Sequence, residues 1–176
     1  MELETERVRL RELVTGDAPF ILALLNDPDF HRHIGDRGIR DLAAASDYIE
    51  QGPRQSYRSH GLGLLLVERK QDGATMGICG LIRRPQLTDV DVGYAFLPAF
   101  RRQGYALEAV RAVLDDGYHR LGLERIVAIV APDNQSSLQL LARVGMQPVS
   151  HIMMGEQNCL LLAQLDATIS ALPRQE

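Results

Sequence analysis

The chain has 176 residues, of which 45% are hydrophobic and 24% charged, a composition typical of a globular protein with a substantial core. This length favours one domain over two, so we expect a single domain spanning residues 1–176. Nineteen Lys and Arg residues against 23 Asp and Glu give a net charge of −4, which supplies no global positive field for nucleic acid or anionic membrane.

The N-terminal segment and the cysteines predict a cytoplasmic protein. Met1–Glu6 is acidic where a secretory signal needs positive charge followed by an apolar stretch. The longest apolar run, Gly61–Val67, is far shorter than the roughly 20 residues that span a bilayer. Cys79 and Cys159 lie far apart and form no disulfide framework, as expected in a reducing compartment.

Hydrophobic periodicity predicts the elements of the N-terminal half. Thr5–Leu13 alternates polar and apolar residues, which is typical of a half-buried strand. A helix-start signal at 15–19 precedes a short helix that we expect to stop at Asn26–Pro28, and a second helix is predicted from Asp41 to Glu50. Three strands follow as an antiparallel meander, the first two joined by an Asp-Gly turn: 61–69, 75–82 and 89–97.

After Pro98 the apolar period changes from two to about 3.6. The stripe from Leu107 to Leu121 predicts a helix ended by Gly122. Residues 126–130 are apolar on both faces, as in a strand covered on both sides, and a helix is predicted over 134–144. Cys159–Leu165 is predicted as a last strand at a sheet edge, so the order indicates an α+β domain with a mixed sheet.

The segment 96–106 carries the clearest chemical signal. It leaves a strand, turns through Arg101 and Arg102, and enters a helix past Gly104 and Ala106. The first N–H groups of a helix lack partners within it and bind anions, and small residues let a pyrophosphate approach the backbone. The alternative is a solvated turn before a helix.

A second helix start lies at Asn134-Gln135-Ser136-Ser137, about thirty residues later. It presents an amide and two hydroxyls at the carboxyl-terminal edge of the sheet, where ligands of α/β layers bind between diverging strands. Asn is also a favoured helix cap, and this simpler role is compatible with ligand binding.

Together these segments resemble the GCN5-related N-acetyltransferases, and most of all the branch that acetylates the N-termini of ribosomal proteins. The resemblance covers about residues 3–165, and its motifs are the opening 3–11, the strand Asp91–Tyr94, the loop 101–106, and 134–137 followed by 141–146. It implies a mixed, mostly antiparallel sheet of six to seven strands with helices on both faces. Splayed strands would form the acetyl-CoA cleft.

The resemblance also implies how coenzyme A is held. The loop would bind its pyrophosphate through six consecutive residues, Arg101, Arg102, Gln103, Gly104, Tyr105 and Ala106. Backbone groups around Phe96 and Leu97 would pair with the pantetheine arm, and Asn134 would contact the arm farther along. The expected cofactor is therefore acetyl-CoA.

The chemistry of direct acetyl transfer requires a base for the ammonium and an acid for the departing thiolate, with no enzyme nucleophile. Asp91 stands where relatives often carry a glutamate base, and burial would have to raise its pKa from about 3.9. Its simpler reading is a sheet-surface carboxylate. Relatives often place a tyrosine acid after the last helix, but residues 146–154 contain none. Ser137 is therefore the candidate acid at the cofactor's sulfur, and its alternative role is to cap the helix.

Two other functions were weighed against acetyl transfer. A non-catalytic acyl-CoA-binding or sensing module would bind the cofactor without releasing thiol. A dinucleotide-dependent oxidoreductase is excluded because no strand is followed by G-x-G-x-x-G. His31 and His33 lack further ligands at suitable spacing, so no metal is expected. The acceptor amine and the choice between monomer and homodimer stay open.

Overall fold

An eight-stranded mixed sheet forms the centre of the molecule, which a computed structural model describes for residues 1–164. The α+β class and the mostly antiparallel sheet are confirmed, with eight strands instead of six or seven. The strands are β1 (Glu2–Glu4), β2 (Val8–Glu12), β3 (Leu64–Arg69), β4 (Thr75–Ile82), β5 (Val90–Phe96), β6 (Ile126–Val130), β7 (Met146–Met154) and β8 (Gln157–Gln164).

The strand order is β1-β2-β3-β4-β5-β6-β8-β7. All neighbours are antiparallel except β5 and β6, which run parallel. The predicted strand at 159–165 is therefore wrong in its place, since β8 lies between β6 and β7 and the sheet edges are β1 and β7. Residue 165, the last of that predicted strand, lies outside the described residues, as does the end of the expected domain at 176.

Neither unpredicted strand carries an alternating pattern long enough to identify it. β1 has only three residues, and β7 buries only Met146 among nine. Neither segment therefore shows the period-two signal that identifies half-buried strands.

Six helices accompany the sheet, and among residues 1–164 none is long and apolar enough to cross a membrane. They are α1 (Ala18–Leu25), α2 (Pro28–His33), α3 (Leu42–Ile49), α4 (Gln55–His60), α5 (Tyr105–His119) and α6 (Gln135–Ala142).

Helices α2 and α4 were not predicted, because each adjoins a proline that resembles a stop signal. Pro28 is instead the first residue of α2, where its missing N–H costs nothing, and Asp27 caps the helix by accepting a bond from the Phe30 amide at 3.2 Å. Pro53 sits in a π-helical turn, 50–54, that joins α3 to α4.

Apolar side chains cover both faces of the sheet. On one face α5 packs through residues such as Val110 and Leu114 against β2, β4 and β5. On the other, α1 and α3 pack through Ile21 and Ile49 against Leu66 and Ile78. The sheet is therefore a layer between helices, and only its strand ends are available for a site.

Gly80 tests the packing at the centre of the sheet. A Cβ there would lie 2.1 Å from the carbonyl oxygen of Gly63 on the neighbouring backbone, which has no room to yield. We expect Gly80→Ala to lower the free energy of unfolding in urea by about 1–3 kcal/mol. The control is Gly52→Ala, where a Cβ meets nothing within 4 Å. The control should keep or slightly raise the free energy of unfolding. Equal losses in both variants would contradict the close packing of Gly80 against the Gly63 carbonyl.

Candidate active site

The cleft begins where β5 and β6 separate. The two strands pair only at Val90 with Ile126 and at Asp91 with Val127. Beyond Asp91, β5 stays paired to β4 and β6 stays paired to β8, so the strands diverge. This opening lies at the carboxyl ends of two parallel strands, the position that the sequence predicted for the ligand.

The open edge of β5 presents backbone groups to this cleft. The Leu97 amide donates to the Met76 carbonyl of β4 at 2.9 Å. Because successive residues of a strand direct their N–H groups to opposite sides, the amides of Tyr94 and Phe96 face away from β4, toward the opening. The Phe96 carbonyl already accepts from Nε of Arg101 at 2.9 Å. The free edge of β5 is thus suited to an amide-containing chain.

The loop after β5 ends in an uncapped helix start. Gly104, the residue before α5, has φ of 85°, and Arg102 has φ of 58°. No side chain caps the first amides of this fifteen-residue helix. A left-handed Gly with no Cβ lets another molecule approach these amides closely, which is the arrangement that binds phosphate.

Arg101 is tied to carboxylates of the neighbouring helix. Its Nη2 lies 2.6 Å from Oδ2 of buried Asp27, and its Nη1 contacts Asp29. With Nε on the Phe96 carbonyl, all three guanidinium nitrogens have protein partners. Arg101 therefore fixes the loop to α2 and contributes little free positive charge.

Arg7 lies beside this helix start, a contact that the sequence analysis missed, and its Nε pairs with Oε2 of Glu108 at 2.7 Å, which leaves Nη2 as its free donor group among the described residues. Its Nη1 donates to the Gln103 carbonyl at 3.0 Å, and its guanidinium lies 4.6 Å from the centre of the Tyr105 ring. Its Nη2 is only 3.0 Å from where a Cβ of Gly104 would lie. In the sequence Arg7 belonged to an alternating strand and to the opening motif 3–11, and no local signal connects it with a loop almost 100 residues away.

Other predicted loop residues have structural side-chain roles. The Tyr105 side chain is buried in the core, and Ala106 packs against it. Gln103 donates from Nε2 to the Ala99 carbonyl at 2.8 Å, while Leu97 packs with the α1 and α3 side of the core. For Tyr105 and Ala106, the backbone groups are what remains for a ligand at this helix start, while exposed Gln103 also keeps its side-chain oxygen.

Asn134 caps α6, the simpler of the two roles the sequence allowed. Its Oδ1 accepts from the Ser137 amide at 3.2 Å and from the Ser136 hydroxyl at 3.1 Å. Within the part of the chain described, its Nδ2 has no hydrogen-bond partner. That amide group is free to donate to a carbonyl oxygen, so capping and ligand binding are compatible.

Asp91 is a buried carboxylate at the base of the cleft, not a surface residue. Its side chain is 2% exposed, and Nε of Arg84 donates to its Oδ1 at 2.9 Å. Burial raises the pKa of Asp91, while the positive charge of Arg84 and its hydrogen bond oppose this shift. A base for an ammonium group needs such a raised pKa.

Tyr94 brings a phenol to the cleft. Its hydroxyl lies 3.5 Å from the Ser137 carbonyl oxygen at the start of α6. Burial raises the pKa of Tyr94 to about 12, so the phenol remains protonated at neutral pH. The alternating pattern of β5 gave Tyr94 the appearance of a core aromatic, and its packing against the core agrees with that pattern.

These groups meet in one cavity of about 380 Å³, the cleft cavity. Its walls are formed by Asp91–Ala95 of β5 and by 128–130 of β6 with the residue that follows, and Asn134 and Ser137 lie beside them. The loop 101–106 lies outside this cavity. The site thus has two parts: a phosphate-type helix start at α5 and a titratable pocket in the cleft.

Comparisons with known proteins agree with this architecture. The family model described as the acetyltransferase (GNAT) domain matches residues 7–147. The uncharacterized protein YkkB of Bacillus subtilis is 30% identical over 82% of this chain and 84% of its own length. The uncharacterized N-acetyltransferase YoaA of the same organism is 29% identical over 82% of each chain.

A solved structure shows the same fold. RimL, a ribosomal L7/L12 alpha-N-protein acetyltransferase in complex with coenzyme A, superposes with a TM-score of 0.82 at 13% identity, covering 94% of this chain and 98% of that one. The chain belongs to the GNAT acetyltransferases. Enzymes of this family use acetyl-CoA, which confirms the predicted enzyme class and cofactor.

Burial of Asp91 predicts a pH-dependent stability. Since its pKa is raised on folding, ionising it costs folding free energy, and this cost grows as pH rises through the folded pKa. Asp91→Asn keeps an acceptor for Arg84 without the charge. In urea unfolding, the wild type should lose stability relative to this variant as the pH rises above about 4, the ordinary pKa of an Asp in the unfolded chain. Asp47→Asn, an exposed change on α3, should show no such trend. A difference in unfolding free energy between the wild type and Asp91→Asn that does not change with pH would contradict a raised pKa for Asp91.

Proposed function

We propose that this protein transfers an acetyl group directly from acetyl-CoA to a primary amine held in the cleft. The observation that carries the proposal is the divergence of β5 and β6 immediately after a buried carboxylate, with an uncapped helix start on the loop that follows β5. The fold shared with RimL, a ribosomal L7/L12 alpha-N-protein acetyltransferase, supports a place near the branch that acetylates protein N-termini.

Several groups suit acetyl-CoA. The amides at the start of α5, beside Gly104 and flanked by Arg7 and Arg102, would hold the pyrophosphate. The open edge of β5 at Tyr94 and Phe96 would pair with the amides of the pantetheine arm, and Asn134 Nδ2 would donate to one of its carbonyls. Bound there, acetyl-CoA supplies an activated thioester to the cleft cavity.

The residues of the cleft divide the proton transfers. Asp91 would accept a proton from the acceptor ammonium, directly or through water, because its raised pKa makes it a better base. Tyr94, still protonated at neutral pH, would donate a hydrogen bond at the leaving sulfur. The Ser137 hydroxyl is the second candidate for this donor, since both residues meet at the start of α6.

The non-catalytic sensing module remains the alternative. It was suggested by the missing tyrosine after α6, and the phenol of Tyr94 in the cleft cavity weakens that reason. Thiol release distinguishes the two functions, because a sensor binds acetyl-CoA without turnover.

Two further expectations belong to the same proposal. We propose that residues 1–176 form one domain, consistent with the single sheet that joins β1 to β8. We also propose a cytoplasmic location, because Cys79 and Cys159 are both buried and free, as in reducing compartments.

Gly104 tests the cofactor site. Acetyl-CoA at about 100 times its dissociation constant should stabilise the wild type by roughly 2.7 kcal/mol, a rise in Tm of about 5–11 °C. In Gly104→Val the Cβ would crowd Arg7, so we expect most of this rise to disappear. Gly73→Val is the matched control, with φ of 71° in a hairpin turn and open space around it. It should lose intrinsic stability but keep the acetyl-CoA shift, and a full shift in Gly104→Val would refute the assignment.

Single substitutions in the cleft separate the catalytic roles. Asp91→Asn should lower kcat by about 10²–10⁴-fold, the usual range for a general base, and flatten the acidic limb of the pH–rate profile. If Tyr94 is the donor, Tyr94→Phe lowers kcat more than Ser137→Ala does. Acetyl-CoA affinity, measured by the Tm shift, should hold in all three. Thiol release from acetyl-CoA with a panel of amines is the assay, and an unchanged profile in Asp91→Asn would remove it from the mechanism.

A further inference from the structure

A second cavity of about 420 Å³ adjoins the cleft cavity and shares five lining residues with it, among them Arg37, Tyr48 and Arg84. Arg83 and His60 add further basic groups to its lining. No carboxylate occurs among the described residues that line it. The arginines therefore give the second cavity a locally positive lining, in a chain whose net charge is −4.

The arginines at the boundary that the two cavities share have unused hydrogen-bond donors. Arg84 uses Nε for Asp91, and within residues 1–164 its two Nη groups have no protein partner. Arg37, which lines both cavities, has no hydrogen bond or ion pair within the same residues. Elsewhere most arginines pair with a carboxylate, as Arg101 does with Asp27. Arg37 and Arg84 are therefore cations available to a ligand.

The half-buried Tyr48 lies at the same boundary between the two cavities as both arginines. It lines both cavities, and the charges of Arg37 and Arg84 each lower the pKa of its phenol while burial raises it more strongly. Arg37, Tyr48 and Arg84 all line both cavities and therefore lie along their shared boundary. Two guanidinium groups and a phenol form a donor set suited to a carboxylate or phosphate.

We propose that the acceptor is a primary amine that also carries an anionic group, a carboxylate or a phosphate, bound by Arg37, Tyr48 and Arg84. This inference rests on the proposed function, which puts the amine at Asp91. Arg84 contacts Asp91 through Nε and presents its Nη groups elsewhere, so a positive and a negative group of one small molecule would meet opposite charges side by side. An α-amino acid has this arrangement, with its ammonium and carboxylate on one carbon.

Matched pairs of amines test the proposal. Each free amino acid of the kinds found in proteins is compared with its carboxamide, and O-phosphoethanolamine is compared with ethanolamine. The assay is thiol release from acetyl-CoA. We expect kcat/KM for the preferred anionic amine to exceed that of its uncharged counterpart by about 10- to 100-fold, the effect of one charged hydrogen-bond set. The carboxylate and phosphate pairs show which anion is bound. Equal use of both members of every pair would overturn the inference and leave acetyl transfer intact.

Arg37→Gln tests the anion site directly, because Arg37 lies outside the proposed catalytic groups. It should raise KM for the anionic amine about 10-fold, with little change in kcat or in use of the uncharged counterpart. Arg111→Gln removes an exposed arginine of α5 outside both cavities and should change neither. An unchanged KM in Arg37→Gln would contradict the assignment.

Binding separates this inference from the proposed function. If no amine releases thiol, the same pairs are titrated calorimetrically into protein saturated with coenzyme A. Anion-dependent binding that Arg37→Gln weakens would support the inference while the transferase proposal fails. Absence of binding and of turnover for every anionic amine would overturn the inference.

Discussion

The short parallel contact between β5 and β6 is the constraint on which the site depends. Two residue pairs join the strands, after which each strand follows its antiparallel neighbour and the sheet opens. Asp91 occupies the last paired position on β5, so it is buried by the closed part of the sheet and yet lines the open part. The free amides of β5 are a consequence of this separation, and the burial of Asp91 in the closed part of the sheet raises its pKa.

Elements with a complete hydrophobic period could be predicted from the sequence. The α5 stripe and the doubly apolar β6 each carry their own signal, because burial on one or both faces fixes their composition. α2 and β7 could not be predicted in this way. α2 begins at a proline that also marks helix ends, and β7 is supported by pairing with β8 while its side chains stay largely exposed.

The same distinction between local and long-range signals applies to the candidate site. Gly104 and Asn134 were predicted because helix starts are local, and the backbone conformation and capping bonds there depend on a few adjacent residues. The partners of Arg101 and the approach of Arg7 to the loop were not predictable, since each joins residues more than 70 positions apart. Tyr94 stood in the motif Asp91–Tyr94 and was interpreted first as a core aromatic, because periodicity records burial and not what the hydroxyl reaches.

Asp27 and Asp91 are the two buried charged side chains among the described residues, and an arginine from another element pairs with each. Burying a carboxylate is costly unless it is paired, and the pairing adds little net stability compared with apolar packing. What such pairs supply is a fixed arrangement. Arg101 on Asp27 fixes the loop after β5 to α2, while Arg84 on Asp91 holds the buried carboxylate of the cleft cavity. The same kind of contact thus orders both parts of the candidate site: it occupies the guanidinium of Arg101, and through Nε alone it leaves the two Nη groups of Arg84 without a partner among the described residues.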